Sequence, residues 1–297
     1  YWGEGPEIST ITTRYYAEQS SMMLDYENGD LDMAFDLSVS DADRALNTGI
    51  EHSVPVLAPV YDTYTICLPE YVEAFEDIRV RQAIAHALDA AAITASAMGV
   101  LGVVADSTLP TGVDYKISVG GYEYDMEKAQ SLLDEAGVKA GDLNLRFVVV
   151  NSSTNNNIAE LVEAYLGAIG INVTITSADL PTAVPLFMAG ETELVINSMG
   201  ASAQDPDQQY DTVKASSTNA TVRITDPEMD GYLMTGRNSV DPAVRQENYE
   251  AAQQWLYDSY REIPICDVYE CFIYRDYISD FATISPAAPN LRFVTFA

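Results

Sequence analysis

Basic side chains are scarce in this sequence. Its 297 residues include 15 Lys or Arg against 45 Asp or Glu, which gives a formal net charge of −30. Only four of the basic residues are lysines: Lys116, Lys128, Lys139 and Lys214. A surface of this sign repels polyanions, so the composition argues against nucleic acid as a partner. Salt screens the repulsion within the chain, which favours a saline or cation-rich exterior as its environment.

Cysteine and histidine are also rare, with three and two residues. The three cysteines, Cys67, Cys266 and Cys271, lack the spacing of a metal site, so we expect buried thiols, with a disulfide between two of them as the alternative. The two histidines, His52 and His86, stand alone, and no nucleophile-elbow, zinc-protease or phosphate-loop motif occurs. We therefore expect no metal, no cofactor and no catalysis. Hydrolase or transferase activity is the weaker alternative.

Long apolar runs are missing too. No uninterrupted apolar stretch approaches the length of a membrane span, although 47% of the residues are hydrophobic. The first residues, Tyr1 to Gly5, have neither the basic start nor the apolar stretch of a signal peptide. We expect either that the mature chain begins here or that an upstream part is missing.

Two regions of alternating strands and helices follow each other along the chain. In the first, the patterns predict strands over 8–14 and 31–37, a helix over 17–28 and an extended apolar run over 54–68. In the second, apolar residues at steps of three and four predict one helix that ends at Gly99. These residues are Val80, Ile84, Ala87, Leu88 and Ala91.

The most regular stretch is 143–199. Apolar strands at 145–150, 171–175 and 193–198 alternate there with two helices, each closed by a glycine. The order β-α-β-α-β requires parallel pairing with right-handed crossovers. We therefore predict that the three strands run in the same direction and open their carboxyl ends onto a crevice.

Small polar side chains follow the first of these strands. In an open parallel sheet, a ligand binds beyond the carboxyl ends of the strands, near helix N-termini. We predict ligand contacts from Asn151, Ser152 and Asn155, whose side chains donate and accept hydrogen bonds without bulk. Capping of the following helix is the alternative role, and it does not exclude ligand contact.

Five segments resemble a known protein family, in the expected order. They are ENGDLDMAF (27–35), DIRVRQAIAHALDAAAI (77–93), YEYDMEKAQSLLDEAG (122–137), LVEAYLGAIGINVTI (161–175) and DPD (205–207). Together they are similar to the family 5 solute-binding proteins of ABC transporters, whose members bind peptides, nickel complexes and oligosaccharides. The VRQAI helix with its following aspartate, here Asp89, is the most recognisable of these segments.

The resemblance implies an α/β fold of the periplasmic-binding-protein type II. One complete mixed-sheet lobe would span 65–266, and remnants of a second lobe would span 1–64 and 267–297, across a hinge. Such a protein is a monomeric extracytoplasmic receptor, periplasmic or lipid-anchored, that closes around a small molecule or peptide and delivers it to an ABC permease in the membrane. Carbohydrate and metal-chelate receptors of the same fold stay open as alternatives, as does an adhesion module served by the 19 tyrosines.

The same resemblance points to further ligand contacts on the hinge strand and before the DPD element. They are Tyr61, Thr63, Tyr64, Met199, Ser202 and Asp205. For the two tyrosines, core packing is the alternative role.

Two departures from the family pattern matter. Family members usually carry an upstream portion before the tyrosine-tryptophan that matches Tyr1-Trp2, so we expect this chain to be a fragment. Peptide receptors of the family have a tryptophan and an aspartate where Met199 and Ser202 stand, and the aspartate pairs with the amino terminus of the peptide. Free-amine peptides are therefore disfavoured as ligands, unless Asp205 or Asp207 takes over that role.

Overall fold

The chain is a mixed α/β protein with two compact units. The computed structural model describes residues 7–198, 204–210, 213, 224–284, 288–292 and 294–296. Unit 1 consists of Tyr1–Val60, Met98–Val103 and Val268–Ala297, and unit 2 of Tyr61–Ala97 and Val104–Asp267. The lobe boundaries inferred from the sequence stay a prediction about the complete receptor.

Ten α-helices lie within the described residues. They are α1 (Gln19–Glu27), α2 (Val39–Asp43), α3 (Ile78–Ala87), α4 (Ala90–Ala97), α5 (Met126–Ala136), α6 (Ser153–Ala168), α7 (Leu180–Ala189), α8 (Pro206–Gln209), α9 (Pro227–Asn238) and α10 (Pro242–Ser259). A π-helical turn at Arg44–Thr48 extends α2, and short 3-10 helices occupy Glu73–Phe75 and Gly99–Leu101. None of the described helices combines the length and apolar character needed to cross a bilayer.

The strands fall into one five-stranded sheet, one parallel pair and two short antiparallel pairs. They are β1 (Met33–Ala34), β2 (Ser53–Cys67), β3 (Gly102–Val104), β4 (Asn144–Val150), β5 (Asn172–Ala178), β6 (Val195–Asn197), β7 (Glu262–Arg275), β8 (Ile278–Ser279), β9 (Ala282–Ile284), β10 (Ala288–Asn290) and β11 (Thr295–Phe296). The five-stranded sheet has the order β1-β7-β2-β6, with β3 also on β7. The long strands β2 and β7 each continue from one unit into the other.

The predicted parallel direction of the strands in this β-α-β-α-β stretch is confirmed, although β6 itself pairs with β2 and the third strand meets β4 at one bridge only. β4 and β5 pair in parallel over seven residue pairs, from Asn144↔Asn172 to Val150↔Ala178. Leu194, directly before β6, forms a parallel bridge with Phe147 of β4. Ile158, Val162 and Leu166 recur every four residues along α6 and are buried, which explains why this helix packs on the sheet.

Aspartate side chains cap several helix starts in unit 2. Asp125, Asp226 and Asp241 each accept a hydrogen bond from a backbone N–H in the first turn of the next helix. Pro227 and Pro242 occupy the first helical position, where proline loses no intrahelical bond. The core of unit 2 then forms from apolar side chains of α9 and α10 with those of β2 and β6.

Three sequence-based element predictions are wrong. Residues 8–14 form no strand, since none of the described residues pairs with this segment. The strand predicted over 31–37 is reduced to Met33–Ala34, which pairs antiparallel with β7 at Tyr274 and Ile273. The single helix predicted around Val80–Ala91 is broken at Leu88, which is extended at φ −91° and ψ 118°. Asp89 then restarts the helix by accepting a hydrogen bond from the N–H of Ala92 at 2.9 Å.

Unit 1 has its own buried residues. Met23 and Tyr26 of α1 are buried, and the guanidinium of Arg275 lies 4.3 Å from the centre of the Tyr26 ring. The same guanidinium donates to the Tyr26 carbonyl. This cation–π contact and hydrogen bond attach α1 to the end of β7.

Candidate functional site

β2 presents polar side chains on both of its faces in unit 2. Successive side chains of a strand point to opposite faces, so Tyr61, Thr63 and Thr65 share one face while Asp62 and Tyr64 lie on the other. Their contacts agree with this alternation. Thr63 and Thr65 donate to acidic residues of β7, whereas Asp62 accepts from the residue that follows β6. The two faces therefore offer two different polar environments.

The first environment is an ion-pair network around the buried Asp267, which we call the Asp267 network. Its members are Thr63, Asp106, Thr111, Lys116 and Asp267. Thr63 donates its hydroxyl to Oδ1 of Asp267 at 2.6 Å. Oδ2 accepts from the backbone N–H of Thr111 at 3.1 Å, from its hydroxyl at 2.6 Å and from Nζ of Lys116 at 3.3 Å.

Lys116 completes this network from a long loop between β3 and α5. Its ammonium also binds Asp106 at 2.6 Å, and its side chain is 17% exposed against 4% for Asp267. The carboxylate of Asp267 is thus matched by a cation and by neutral donors, as a buried charge requires. Sequence reasoning identified Thr63 but missed the other members. The sequence offered one indication of this network: Asp267 lies in an apolar segment, and Lys116 lies in a segment of turn residues.

The second environment contains Asp62, Tyr64 and Ser198, which we call the Asp62 group. The hydroxyl of Ser198 donates to Oδ2 of Asp62 at 2.9 Å. Oδ1 of Asp62 is buried and has no hydrogen-bond partner among the residues that the structure describes. Burial raises the pKa of Asp62, opposed by the hydrogen bond from Ser198. Burial likewise raises the pKa of Tyr64.

The Asp62 group is not sealed, because all three of its residues are partly exposed. Of its members, the sequence predicted only Tyr64. Asp62 is a carboxylate that lies between Tyr61 and Tyr64 in a predicted strand. Because side chains alternate along a strand, its position predicts that Asp62 and Tyr64 share a face. Ser198 stands directly after the last apolar residues of the predicted third strand.

Tyr61 is the predicted contact that lies deepest in the protein. It is 4% exposed and belongs to the core of unit 2. Its ring packs so closely on the loop that a Cβ at Gly112 would come within 2.7 Å of Cε1. Its carbonyl accepts a hydrogen bond from Nε2 of Gln209 at 2.8 Å. The Tyr61 ring therefore packs in the core, which is the alternative role given for it in the sequence analysis.

The polar residues after β4 form their own hydrogen-bond network. Ser152 caps α6 by accepting from the N–H of Asn155 at 3.1 Å. Nδ2 of Asn155 donates to the carbonyl of Val150 at 2.8 Å. Asn151 is exposed and accepts from Nδ2 of Asn156 at 3.0 Å. Capping is thus observed for Ser152, and the edge remains polar and accessible at Asn151.

The last predicted contact, Asp205, is engaged with an arginine. Asp205 accepts from the guanidinium of Arg245 at 2.6 Å and caps α8 through the N–H of Asp207. Arg245 lies over the rings of Tyr115 and Tyr249, at 5.6 and 5.2 Å from their centres. These contacts fix segment 204–210 on α10. The other predicted contacts in this part of the chain, Met199 and Ser202, lie outside the described residues.

Another acidic residue of β7, Glu262, is fully enclosed. Its Oε1 accepts from the hydroxyl of Thr65 at 2.8 Å and from Nδ2 of Asn197 at 3.2 Å. Burial raises its pKa, since no cation lies beside it in the described part of the chain to favour the ionised form. Glu262 therefore belongs to the interior of unit 2 and not to a ligand surface.

The three cysteines lie in the interior of the protein. Cys67, Cys266 and Cys271 are free and buried, which confirms the prediction of buried thiols. Burial raises the pKa of Cys266 to about 12 and that of Cys271 to about 11, so both thiols stay protonated. Within the described ranges, no three His, Cys, Asp or Glu side chains are grouped closely enough to hold a metal ion.

Comparison with known proteins identifies the family of this chain and several relatives. The family model described as bacterial extracellular solute-binding proteins, family 5 Middle, matches residues 1–221. The glutathione-binding protein GsiB of Pectobacterium atrosepticum is 24% identical over 277 residues, which cover 86% of this chain and 52% of the relative. The chain thus spans about half the length of the curated relatives it matches.

Solved structures show the same fold. NikA from Brucella suis, in complex with Fe(III)-EDTA, matches with a TM-score of 0.87 at 21% identity, over 100% of this chain and 64% of NikA. DppA from Helicobacter pylori, in complex with the peptide STSA, matches with a TM-score of 0.80 at 19% identity, over 100% of this chain and 58% of DppA. The predicted fold class is confirmed. Because the family model covers about three quarters of its length, the chain belongs to the bacterial extracellular solute-binding proteins of family 5.

Proposed function

We propose that this chain is the ligand-binding part of an extracytoplasmic receptor that delivers a small solute to an ABC importer. The match with the family 5 model carries the proposal. GsiB and DppA are named as binding proteins, for glutathione and in complex with a peptide, which favours a peptide-like solute and a receptor over an enzyme. The protein would act as a monomer in the periplasm or at the cell surface, with the permease as its membrane partner.

Ligand capture would use the ends of strands in unit 2. The proposed contacts are Thr63 and Tyr64 on β2, the polar residues after β4, and the segment that leads to Asp205. β2 and β7 pass between the units without interruption, so a change of backbone torsion near residues 60 and 267 would swing one unit relative to the other. Closure over the solute would then produce the form that docks on the permease.

A thermal-shift screen of the full chain tests the proposal. The panel contains glutathione, di- to tetrapeptides, oligosaccharides and Fe(III)-EDTA. A ligand present at 100 times its Kd stabilises the folded state by about 2.7 kcal/mol, so a true ligand raises Tm by several degrees. The stabilising solute is then recovered and identified by mass spectrometry. We expect it unchanged; chemical conversion of the solute, or stabilisation by none of the panel, would contradict a receptor for such solutes.

A metal-chelate receptor is the second candidate. The observation that favours it is the likeness in fold to NikA, whose structure is a complex with Fe(III)-EDTA. Fe(III)-EDTA is an anionic complex, and this chain has a formal net charge of −30. Electrostatic repulsion therefore disfavours this ligand, and the screen decides between the two candidates by which probe stabilises the chain.

A further inference from the structure

One buried side chain of α10 binds the long loop between β3 and α5. Gln253 is 1% exposed. Its Oε1 accepts from the hydroxyl of Ser107 and from the N–H of Ile117, both at 2.9 Å. Its Nε2 donates to the carbonyls of Tyr115 and Tyr249, also at 2.9 Å. The donor and acceptor capacity of the amide is therefore fully used, and three of its four bonds tie the β3–α5 loop to α10.

Tyr115 of this loop has a strained backbone. Its φ is +62°, in the left-handed region that residues other than glycine seldom adopt. Such a conformation persists where the surrounding structure fixes it. Here Gln253 binds the Tyr115 carbonyl, and the Tyr115 ring stacks on Tyr249 of α10 with the ring centres 5.9 Å apart. α10 thus supplies contacts that offset the strain in the loop.

The β3–α5 loop in turn supports the segment that contains the predicted contact Asp205. The N–H of Asp114 donates to the carbonyl of Gln204 at 2.8 Å. Nε2 of Gln204 donates to the carbonyl of Gly112 at 3.3 Å. The residue before Asp205 is therefore attached to the loop both by its backbone and by its side chain.

A second connection between the loop and Asp205 runs through Arg245. Its guanidinium binds Asp205 at 2.6 Å and lies 5.6 Å from the centre of the Tyr115 ring. A cation is attracted to the face of an aromatic ring, so the place of Tyr115 influences the place of the guanidinium. Because Gln253 holds the Tyr115 carbonyl, both connections begin at Tyr115 or directly beside it, where Gln253 fixes the loop.

We propose that Gln253 is a positioning residue that fixes Asp205 and its neighbours through the β3–α5 loop. This inference rests on the proposed function and deepens it, since Asp205 is one of the proposed solute contacts and the buried Gln253 acts on it without contacting the solute. Loss of the amide removes the acceptor of the Ile117 N–H and releases the strained Tyr115. The loop then opens as one unit, and its bond to Gln204 opens with it.

Hydrogen–deuterium exchange on the ligand-free full chain tests this role. Gln253→Met keeps an unbranched side chain of similar length and removes all hydrogen bonds of the amide. Exchange is followed at two amides: Ile117, which binds Gln253 directly, and Asp114, which binds Gln204. We expect both amides to exchange about 10- to 100-fold faster in the variant, the range for buried polar groups that lose their partner.

Two controls separate positioning from general destabilisation. Gln254→Met changes the next residue of α10, an exposed glutamine, and should leave both amides as in wild type. In Gln253→Met, the amide of Gly141 in the loop before β4 should also exchange as in wild type, because a local opening does not reach it. Unchanged exchange at Asp114 in Gln253→Met, whatever happens at Ile117, overturns the proposal. Equal acceleration at all three amides, or in both variants, overturns it as well.

This result does not depend on the receptor function. No solute is added, so the positioning role can fail while the thermal-shift screen still finds a ligand, and it can hold if the screen finds none. If circular dichroism shows that Gln253→Met is unfolded, the wild type decides. A unit that opens together gives Asp114 and Ile117 protection factors within about 10-fold of each other, and a wider gap overturns the role of Gln253.

Discussion

At the scale of single residues, a few buried carboxyl groups distinguish this protein from a merely acidic one. Asp267 is buried and fully matched by donors, Asp62 is partly buried and matched at one oxygen, and Glu262 is enclosed by neutral donors. The free energy of each carboxyl group depends on these partners and not on its burial alone. The three residues therefore respond differently to substitution.

Glu262→Gln should stabilise the protein at neutral pH. Because burial raises the pKa of Glu262 in the folded state above its ordinary value of 4.5, the folded state holds this proton more tightly than the unfolded state. Ionisation of Glu262 thus lowers stability as pH rises above about 4.5, whereas below that value the group is protonated in both states and the penalty vanishes. Glutamine keeps the acceptor for Thr65 and Asn197 without ionising. We expect a higher Tm for the variant at pH 7 and no difference at pH 4, measured by circular dichroism.

Glu193→Gln provides a control of opposite sign. Burial opposes ionisation of Glu193, but hydrogen bonds from Arg146 outweigh it and lower its pKa below 4.5. This carboxylate therefore contributes stability above pH 4.5, which is lost as pH falls through its folded pKa. The variant should be less stable than wild type at pH 7 and approach it in acid. A Glu262→Gln variant with a lower Tm than wild type at pH 7 would contradict the assignment of a penalty to Glu262.

The sequence predicted some site residues and could not predict others, for a physical reason. Asn151 and Ser152 were predicted because they follow a predicted strand, which is a local signal, whereas Asp205 was predicted from the family resemblance. Ser152 and Asp205 cap helices in the structure, and ligand contact by all three residues stays a prediction. Asp62 and Lys116 were missed because their partners, Ser198 and Asp267, are more than 130 residues away along the chain. A pattern within one segment does not reveal which distant donor meets a carboxylate. The structure supplies that pairing.

At the scale of elements, periodicity was a reliable guide wherever an element packs along its whole length. The helix α6 and the strands β4 and β5 have regular apolar repeats and were predicted closely. Periodicity predicted the wrong element where strand pairing or a helix cap determines the secondary structure. Residues 8–14 alternate as a strand does but find no partner in the described part of the chain, and Asp89 captures the N–H of Ala92 and so divides a continuous apolar stripe into two helices.

Gly170→Ala should destabilise unit 2 more than Gly141→Ala does. Both glycines have a positive φ, +82° and +87°, and the N–H of Gly141 donates to the carbonyl of Gly170 at 2.8 Å. A Cβ at Gly170 would lie 2.7 Å from Cβ of Ala140, whereas a Cβ at Gly141 has no atom within 4 Å. Left-handed backbone costs about 1–2 kcal/mol in each variant, and crowding adds about 1–3 kcal/mol at Gly170 alone.

Urea unfolding of the two glycine variants measures this difference. Since the backbone penalty is common to both, the gap between their free energies of unfolding reports the contact with Ala140. Equal losses in the two variants would mean that the loop joining α6 to β5 shifts away from Ala140, and would contradict tight packing at that turn.

At the scale of the whole molecule, charge is the dominant feature. The formal net charge is −30, since 45 acidic residues face only 15 basic ones. The ion pairs among the described residues are mostly partly exposed, such as Arg44 with Glu27 and Asp41. Such pairs contribute little stability, about 0–1 kcal/mol each. Repulsion among the remaining carboxylates therefore acts against the folded state as a whole.

Salt should stabilise the protein through this repulsion. The Debye length falls from about 10 Å at 0.1 M to about 3 Å at 1 M salt, so NaCl screens most pairs of exposed carboxylates. We expect Tm at pH 7 to rise by several degrees between these concentrations, measured by differential scanning calorimetry. A variant with Glu127, Glu160, Glu163 and Glu247 changed to glutamine removes four exposed charges. It should melt higher than wild type at 0.1 M and gain less from added salt, because less repulsion remains to be screened. A Tm that falls with NaCl, or an equal gain in both proteins, would show that general repulsion is not what limits the stability of this fold.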